Sequence, residues 1–191
     1  MLLRLVTAVL LLVLSASAAQ AALSVPPPPL RHVNDYAGAL SPADRERLEQ
    51  KLAARERDSR NQVVVAIFRT LAGESLEDYS IRLAQAWRIG QKGLDNGVIF
   101  LVFVEDRKMR IEVGYGLEAT LTDAISASII RDVVAPRFRQ GRMADGIGAG
   151  LDAIDQAIAG TYRGGPASTA PRGLLPLIPW AIVIGVVVMV L

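Results

Sequence analysis

The sequence predicts an α/β domain built on a mixed sheet with helices on both faces. Two near-continuous apolar runs, at 62–68 and 98–104, have the length and β-branched content of strands buried on both sides. Capped segments of helical period lie between and after them. A third strand, 109–113, sets Ile111 and Val113 against Arg110 and Glu112, and the polar loop Glu105-Asp106-Arg107-Lys108 joins it to 98–104 as an antiparallel hairpin. The resulting order, α-β-α-β-β-α-α, belongs to a layered α/β architecture.

Each helix has its own signals. Ser41-Pro42-Ala43-Asp44 supplies an N-cap, a proline at the first helical position and an early carboxylate, and the helix runs to about Asp58. Its apolar stripe is thin, Leu48 and Leu52 with alanines. Ser75-Leu76-Glu77-Asp78 caps the second helix, where Tyr79, Leu83 and Trp87 recur at core spacing before Gly90 ends it. Thr122-Asp123 opens a third with Ile125, Ile129 and Val133 inward, and Pro136 is expected to break it. The last begins near Met143, with Ile147, Leu151, Ile154 and Ile158 on one face. Its glycines, Gly146, Gly148 and Gly150, each weaken a helix by ~1 kcal/mol relative to alanine, which makes sense if it lies very close to the sheet.

Both ends of the 191-residue chain are apolar and stand apart from this domain, expected at 30–162. Arg4, an apolar run to Leu14 and the box Ala19-Gln20-Ala21 form the pattern of a cleaved signal peptide over 1–21. The run is about half of the ~20 residues a spanning helix needs. Residues 22–29, with Pro26 to Pro29 in a row, read as a stiff extended spacer. A Gly-, Pro- and Ser-containing tether, 163–173, leads to the uncharged apolar stretch 174–191, which is expected to span a membrane with Trp180 near its entrance. These ends place the domain at the cell membrane, single-pass, on the periplasmic or extracytoplasmic side.

Composition narrows the chemistry. Basic and acidic residues number 21 and 19, mixed along the chain without a basic stripe, so no nucleic-acid partner is expected. The absence of cysteine excludes thiolate catalysis and cysteine metal sites. His32 is the only histidine, reads as an exposed linker residue, and leaves a Ser-His-Asp triad without a base. No dinucleotide or Walker phosphate loop exists.

The hairpin yields one geometric deduction. The blocks before its first strand and after its second share the end opposite its turn, so Asp95-Asn96-Gly97 meets Gly114-Tyr115-Gly116-Leu117-Glu118, with Thr122 and Asp123 nearby. Asp95, Asn96, Glu118 and Asp123 then offer an all-oxygen donor set suited to a hard cation such as calcium or magnesium. The same residues have structural readings: Asp95-Asn96-Gly97 as turn chemistry, Asp123 as a first-turn carboxylate. Tyr115, between two glycines, reads as a candidate exposed contact, whereas Tyr79 and Trp87 read as core.

Four linked motifs also resemble the TPM domain family: 33–41 (Val-Asn-Asp-Tyr-Ala-Gly-Ala-Leu-Ser), Asp95-Asn96-Gly97-Val98, the block 110–118, and Leu121-Thr122-Asp123. The resemblance covers about 31–162. It implies a three-layer α/β/α sandwich, a Rossmann-like mixed sheet without a dinucleotide site. It also implies binding of divalent cations in some members, with Asp35 joining Asp95, Asn96, Glu118 and Asp123. Thylakoid members are associated with photosystem II repair, a worm member modulates a receptor channel, and an acid phosphatase activity is attributed to plant members. Two functions follow as expectations: a non-catalytic accessory module for a membrane-protein partner, with a calcium-type acidic cleft, or a metal-dependent acid phosphatase-like hydrolase. For the second, Arg107 and Lys108 lie at the far end of the hairpin, and only Arg110 is positioned to help.

Overall fold

The computed structural model describes residues 22–164. The expected signal peptide over 1–21 and the expected span over 174–191 lie outside the described residues, as does most of the tether. Among the described residues no helix is long and apolar enough to cross a membrane.

The elements run β1 (Val33–Asp35), α1 (Pro42–Ser59), β2 (Gln62–Phe68), α2 (Leu76–Trp87), β3 (Gly97–Phe103) and β4 (Lys108–Val113). A 3₁₀ turn (Tyr115–Leu117), α3 (Asp123–Ser128), a π-helical segment (Ile129–Val134), α4 (Ala135–Arg139) and α5 (Met143–Ile158) complete the domain. The four strands lie in chain order, β1, β2 and β3 parallel and β4 antiparallel to β3. The fold is the α/β sandwich expected, with a mixed sheet flanked by helices.

The runs in β2 and β3 are continuously apolar because both of their faces are covered. One face, with Val65, Ile67, Phe100 and Val102, packs on Leu48 and Leu52 of α1 and on Ile147, Leu151 and Ile154 of α5. The other, with Val64, Ala66, Ile99 and Leu101, packs on Tyr79, Leu83 and Trp87 of α2. Both helix starts use the caps read from sequence: the Ser41 and Ser75 hydroxyls accept from the amides of Asp44 and Asp78. In α5, a Cβ on Gly150 would lie 2.8 Å from a Val134 methyl and 3.3 Å from the Phe100 ring, so this helix does lie against the sheet.

Three expectations change. First, a short strand, β1, precedes α1; three residues are too few to show a period. Second, Pro136 does not break its helix. The chain stays helical from α3 through α4 by widening into the π segment immediately before the proline, which leaves room for a ring that would otherwise meet the carbonyl four residues back. Third, residues 22–29, expected as a stiff extended spacer, lie as a strap along α2. Leu23 and Val25 pack on the second core, the Leu23 amide donates to Glu74 (2.9 Å), and the Trp87 indole donates to the Pro26 carbonyl (2.9 Å).

Candidate functional site

The parallel strands give the sheet an amino end and a carboxyl end, and the five residues expected to share a cleft divide between them. Gly97 opens β3 beside Gln62, and Gly114 follows β4 at the same end. Asp35 closes β1 beside Ile67, which pairs with Val102. Residues 97 and 102 are five apart, so Asp35 lies roughly 16 Å along the strands from Asp95 and its neighbours. Its carboxylate accepts from the amides of Ala39 (3.1 Å) and Leu40 (2.8 Å) and closes the turn into α1.

At the amino end the hairpin deduction holds. Gly114 N–H donates to the Gly97 carbonyl (2.8 Å), and Gly116 N–H donates to the Asp95 carbonyl (3.1 Å). Three glycines make the approach possible. A Cβ on Gly97 would come within 1.9 Å of the Ile89 carbonyl oxygen, one on Gly114 within 2.1 Å of that of Asp95, and one on Gly116 within 2.0 Å of that of Leu94. Asp95 itself adopts φ 47°, a left-handed conformation that Asp tolerates better than most residues.

Asn96 is 7% exposed, and its amide is committed to the fold. Its Oδ1 accepts from Gln91 N–H (2.8 Å), and its Nδ2 donates to the Arg60 carbonyl (2.7 Å), tying the 88–96 loop to the entry of β2. Turn chemistry therefore accounts for this residue, whose Oδ1 and Nδ2 are both bonded to backbone groups. Asp95, Glu118 and Asp123 are exposed. Asp123 stands in the first turn of α3, next to the Thr122 cap. Among the described residues, no group of three or more Asp, Glu or His side chains is gathered closely enough to hold a metal ion.

Arg110 is likewise engaged. Its guanidinium donates to Glu112 and lies 3.9 Å from Glu77. Burial acts against the charge, but Glu112, Glu77 and Asp123 outweigh it and hold the Arg110 pKa above its ordinary value. The amino end presents hydrophobic contacts instead. Tyr115 is 81% exposed and Leu94 is 55% exposed, on the two loops that the glycines lock together.

His32 was missed as a partner-forming residue. It is not an exposed linker residue: its side chain is 17% exposed and is clamped between two carboxylates of α1, with Nδ1 3.0 Å from Glu49 and Nε2 2.6 Å from Glu56. Glu49 also accepts the backbone amides of His32 (3.0 Å) and Val33 (2.8 Å). Two carboxylates on one ring require both nitrogens to donate, so the imidazolium is the favoured form. Burial opposes that charge, but the bonds to Glu56 and Glu49 prevail, and the pKa is raised. The i, i+7 spacing of Glu49 and Glu56 on one helix face was the available signal.

A family model for the TPM domain matches residues 33–157. The chain belongs to the TPM domain family. Its TPM domain is similar to the N-terminal domain of a Porphyromonas gingivalis protein solved in solution. That likeness has 32% identity and a TM-score of 0.63, covering 71% of this chain and 87% of that one. The N-terminal domain of a Corynebacterium glutamicum protein (18% identity, TM-score 0.51, 78% of this chain and 91% of that one) shares the fold. So does the BA42 protein of Bizionia argentinensis (19% identity, TM-score 0.58, 67% and 87%). No curated protein matches the chain. Two of these relatives are N-terminal domains studied as separate folded units, and here too the domain contains both of its cores.

Proposed function

We propose that this protein is an exported TPM domain tethered to the membrane, a non-catalytic accessory module that binds a membrane-protein partner through the loops at the amino end of its sheet. The observation that carries this reading is the exposed pair Leu94 and Tyr115 on loops held by backbone contacts too tight for any side chain. Aromatic anchors on a preorganised support lose little entropy on binding, and such residues dominate interface energetics. The tether at 163–173 keeps the domain within about 40 Å of the expected span, so the partner is one at the same membrane surface.

The phosphatase reading finds less support. Arg110 is paired with Glu112 and lies near Glu77, and Arg88 and Lys92 are exposed nearby. Among the described residues no group of three or more Asp, Glu or His side chains is gathered to hold a metal that would activate water.

Site-specific photocrosslinking in intact cells separates these readings. A photoreactive residue in place of Tyr115 should give a discrete adduct in the membrane fraction, lost on Leu94→Glu. The same probe in place of Ile81, exposed on α2, should give none. Adducts of equal yield from both positions would sink the contact surface. Metal-dependent turnover of a phosphate ester, abolished by Asp95→Asn, would replace the module with the hydrolase.

A further inference from the structure

At the carboxyl end of the sheet, opposite the loops just described, lies a cavity of about 520 Å³ between the hairpin tip and the α4–α5 corner. Its floor is apolar, formed by Val102, Met109, Phe138 and Met143. Its rim carries Arg107, Lys108 and Arg139, and no acidic side chain lines it.

Three acids nearby are used elsewhere, and Asp145, in the first turn of α5, lines the adjoining depression with Asp44 and not this cavity. Asp106 accepts the Leu71 amide (2.7 Å), Glu105 faces Arg69 (3.9 Å), and Asp35 closes its own turn. Among the described residues none of the three rim cations forms an ion pair, although the field of Lys108 reaches Glu77. The volume falls within the range of small-molecule sites, and the carboxyl ends of parallel strands are where open α/β sheets bind ligands. An uncompensated cationic rim over an apolar floor is complementary to a molecule of the opposite pattern.

We propose that this cavity binds a single-tailed anionic amphiphile of the fatty-acid class, its carboxylate held by Arg107 and Arg139 and its hydrocarbon tail laid over Phe138, Met109 and Met143. The two arginines suit a carboxylate because each guanidinium offers a planar fork of donors. The soft side chains of the two methionines adapt to a flexible chain.

Calorimetric titration of fragment 22–164 with monomeric dodecanoate tests the assignment. Saturable one-to-one binding is expected, weakened at least tenfold by Arg139→Glu and by Arg107→Glu. Arg57→Glu, in the open depression beside His32 at the other end of the sheet, should leave it unchanged. Matching melting curves establish that the variants fold. Three comparisons guard the result: acetate for the head alone, dodecyltrimethylammonium for the tail under the wrong charge, and phosphatidylglycerol vesicles for a membrane surface. No saturable binding of dodecanoate overturns the proposal. So does equal affinity for acetate or for the cationic detergent, binding to vesicles without binding of the monomer, or an equal loss in Arg57→Glu.

Discussion

The two ends of the sheet solve the problem of terminating strands in opposite ways. At the amino end three glycines allow backbone to touch backbone, and Asn96 stitches the loops together, with Leu94 and Tyr115 exposed among polar and charged side chains. At the carboxyl end the same strands stop short of the α4–α5 corner, leaving a cavity with a charged rim. The first end is closed by backbone contacts and displays exposed side chains beside open depressions; the second encloses a cavity over an apolar floor. One scaffold can therefore separate two binding tasks without the residues of one disturbing the other.

The sharpest way to break this contrast is to add one methyl group at each end. In Gly97→Ala the new Cβ meets the Ile89 carbonyl and the Gly90 nitrogen, both backbone, so nothing nearby can yield cheaply. A loss of about 3 kcal/mol in urea unfolding is expected. Gly141→Ala, in the turn before α5, meets nothing within 4 Å and bears only the strain of φ +73°, about 1 kcal/mol. Equal losses would show that the amino end is not locked as described.

Asn96→Ala tests the same lock through polar groups. It strands the Gln91 amide and the Arg60 carbonyl in a buried position, and about 2 kcal/mol of stability should go with them. Asp95→Asn keeps a residue tolerant of the left-handed conformation and removes only an exposed charge, so its unfolding midpoint should stay within about 0.5 kcal/mol of wild type. If the two variants lose equal stability, the division of the Asp-Asn-Gly motif into one buried brace and one free carboxylate fails.

That division marks how far the sequence could be read. Long apolar runs and serine caps have strong local signals, so β2, β3, α1 and α2 were legible almost to the residue. The meeting of Asp95 with Gly116 was legible because a hairpin has only two ends. Asp35 was grouped with the wrong end because motif resemblance holds no register, and the register is fixed by β1, a strand too short to be seen. Pro136 misled because a π turn has no local signature. The basic cavity was invisible, since residues 107 and 139 are brought together only by the packing of α4 against the hairpin.

A smaller effect tests how charge is held at the amino end, where His32 joins β1 to α1. The carboxylates facing it are Glu49 and Glu56, with Arg31 3.7 Å from Glu49. The folded pKa of His32 is raised above its ordinary value of 6.5. Its stabilisation is therefore complete below that value and is lost as pH rises through the folded pKa. The melting temperature should fall as pH rises from about 6 through the folded pKa in wild type, and the slope should flatten in His32→Gln. A wild-type slope rising over that interval would mean that the ring is held neutral.

The smallest expected effect concerns calcium. The exposed carboxylates Asp95, Glu118 and Asp123 are not gathered, and the Asn96 amide is spent on backbone groups. Assembling a coordination sphere of six or more oxygens would require reshaping loops that the glycine contacts hold in place. Any calcium bound by the isolated domain should therefore be weak. Fragment 22–164 should melt at the same temperature with and without about 1 mM calcium, a concentration at which a sensor-type site would be saturated and would add several kcal/mol. A rise in melting temperature that disappears in Asp95→Asn would show that these loops can move enough to gather the acids. The contrast between a locked end and an open one would then belong only to the ion-free protein.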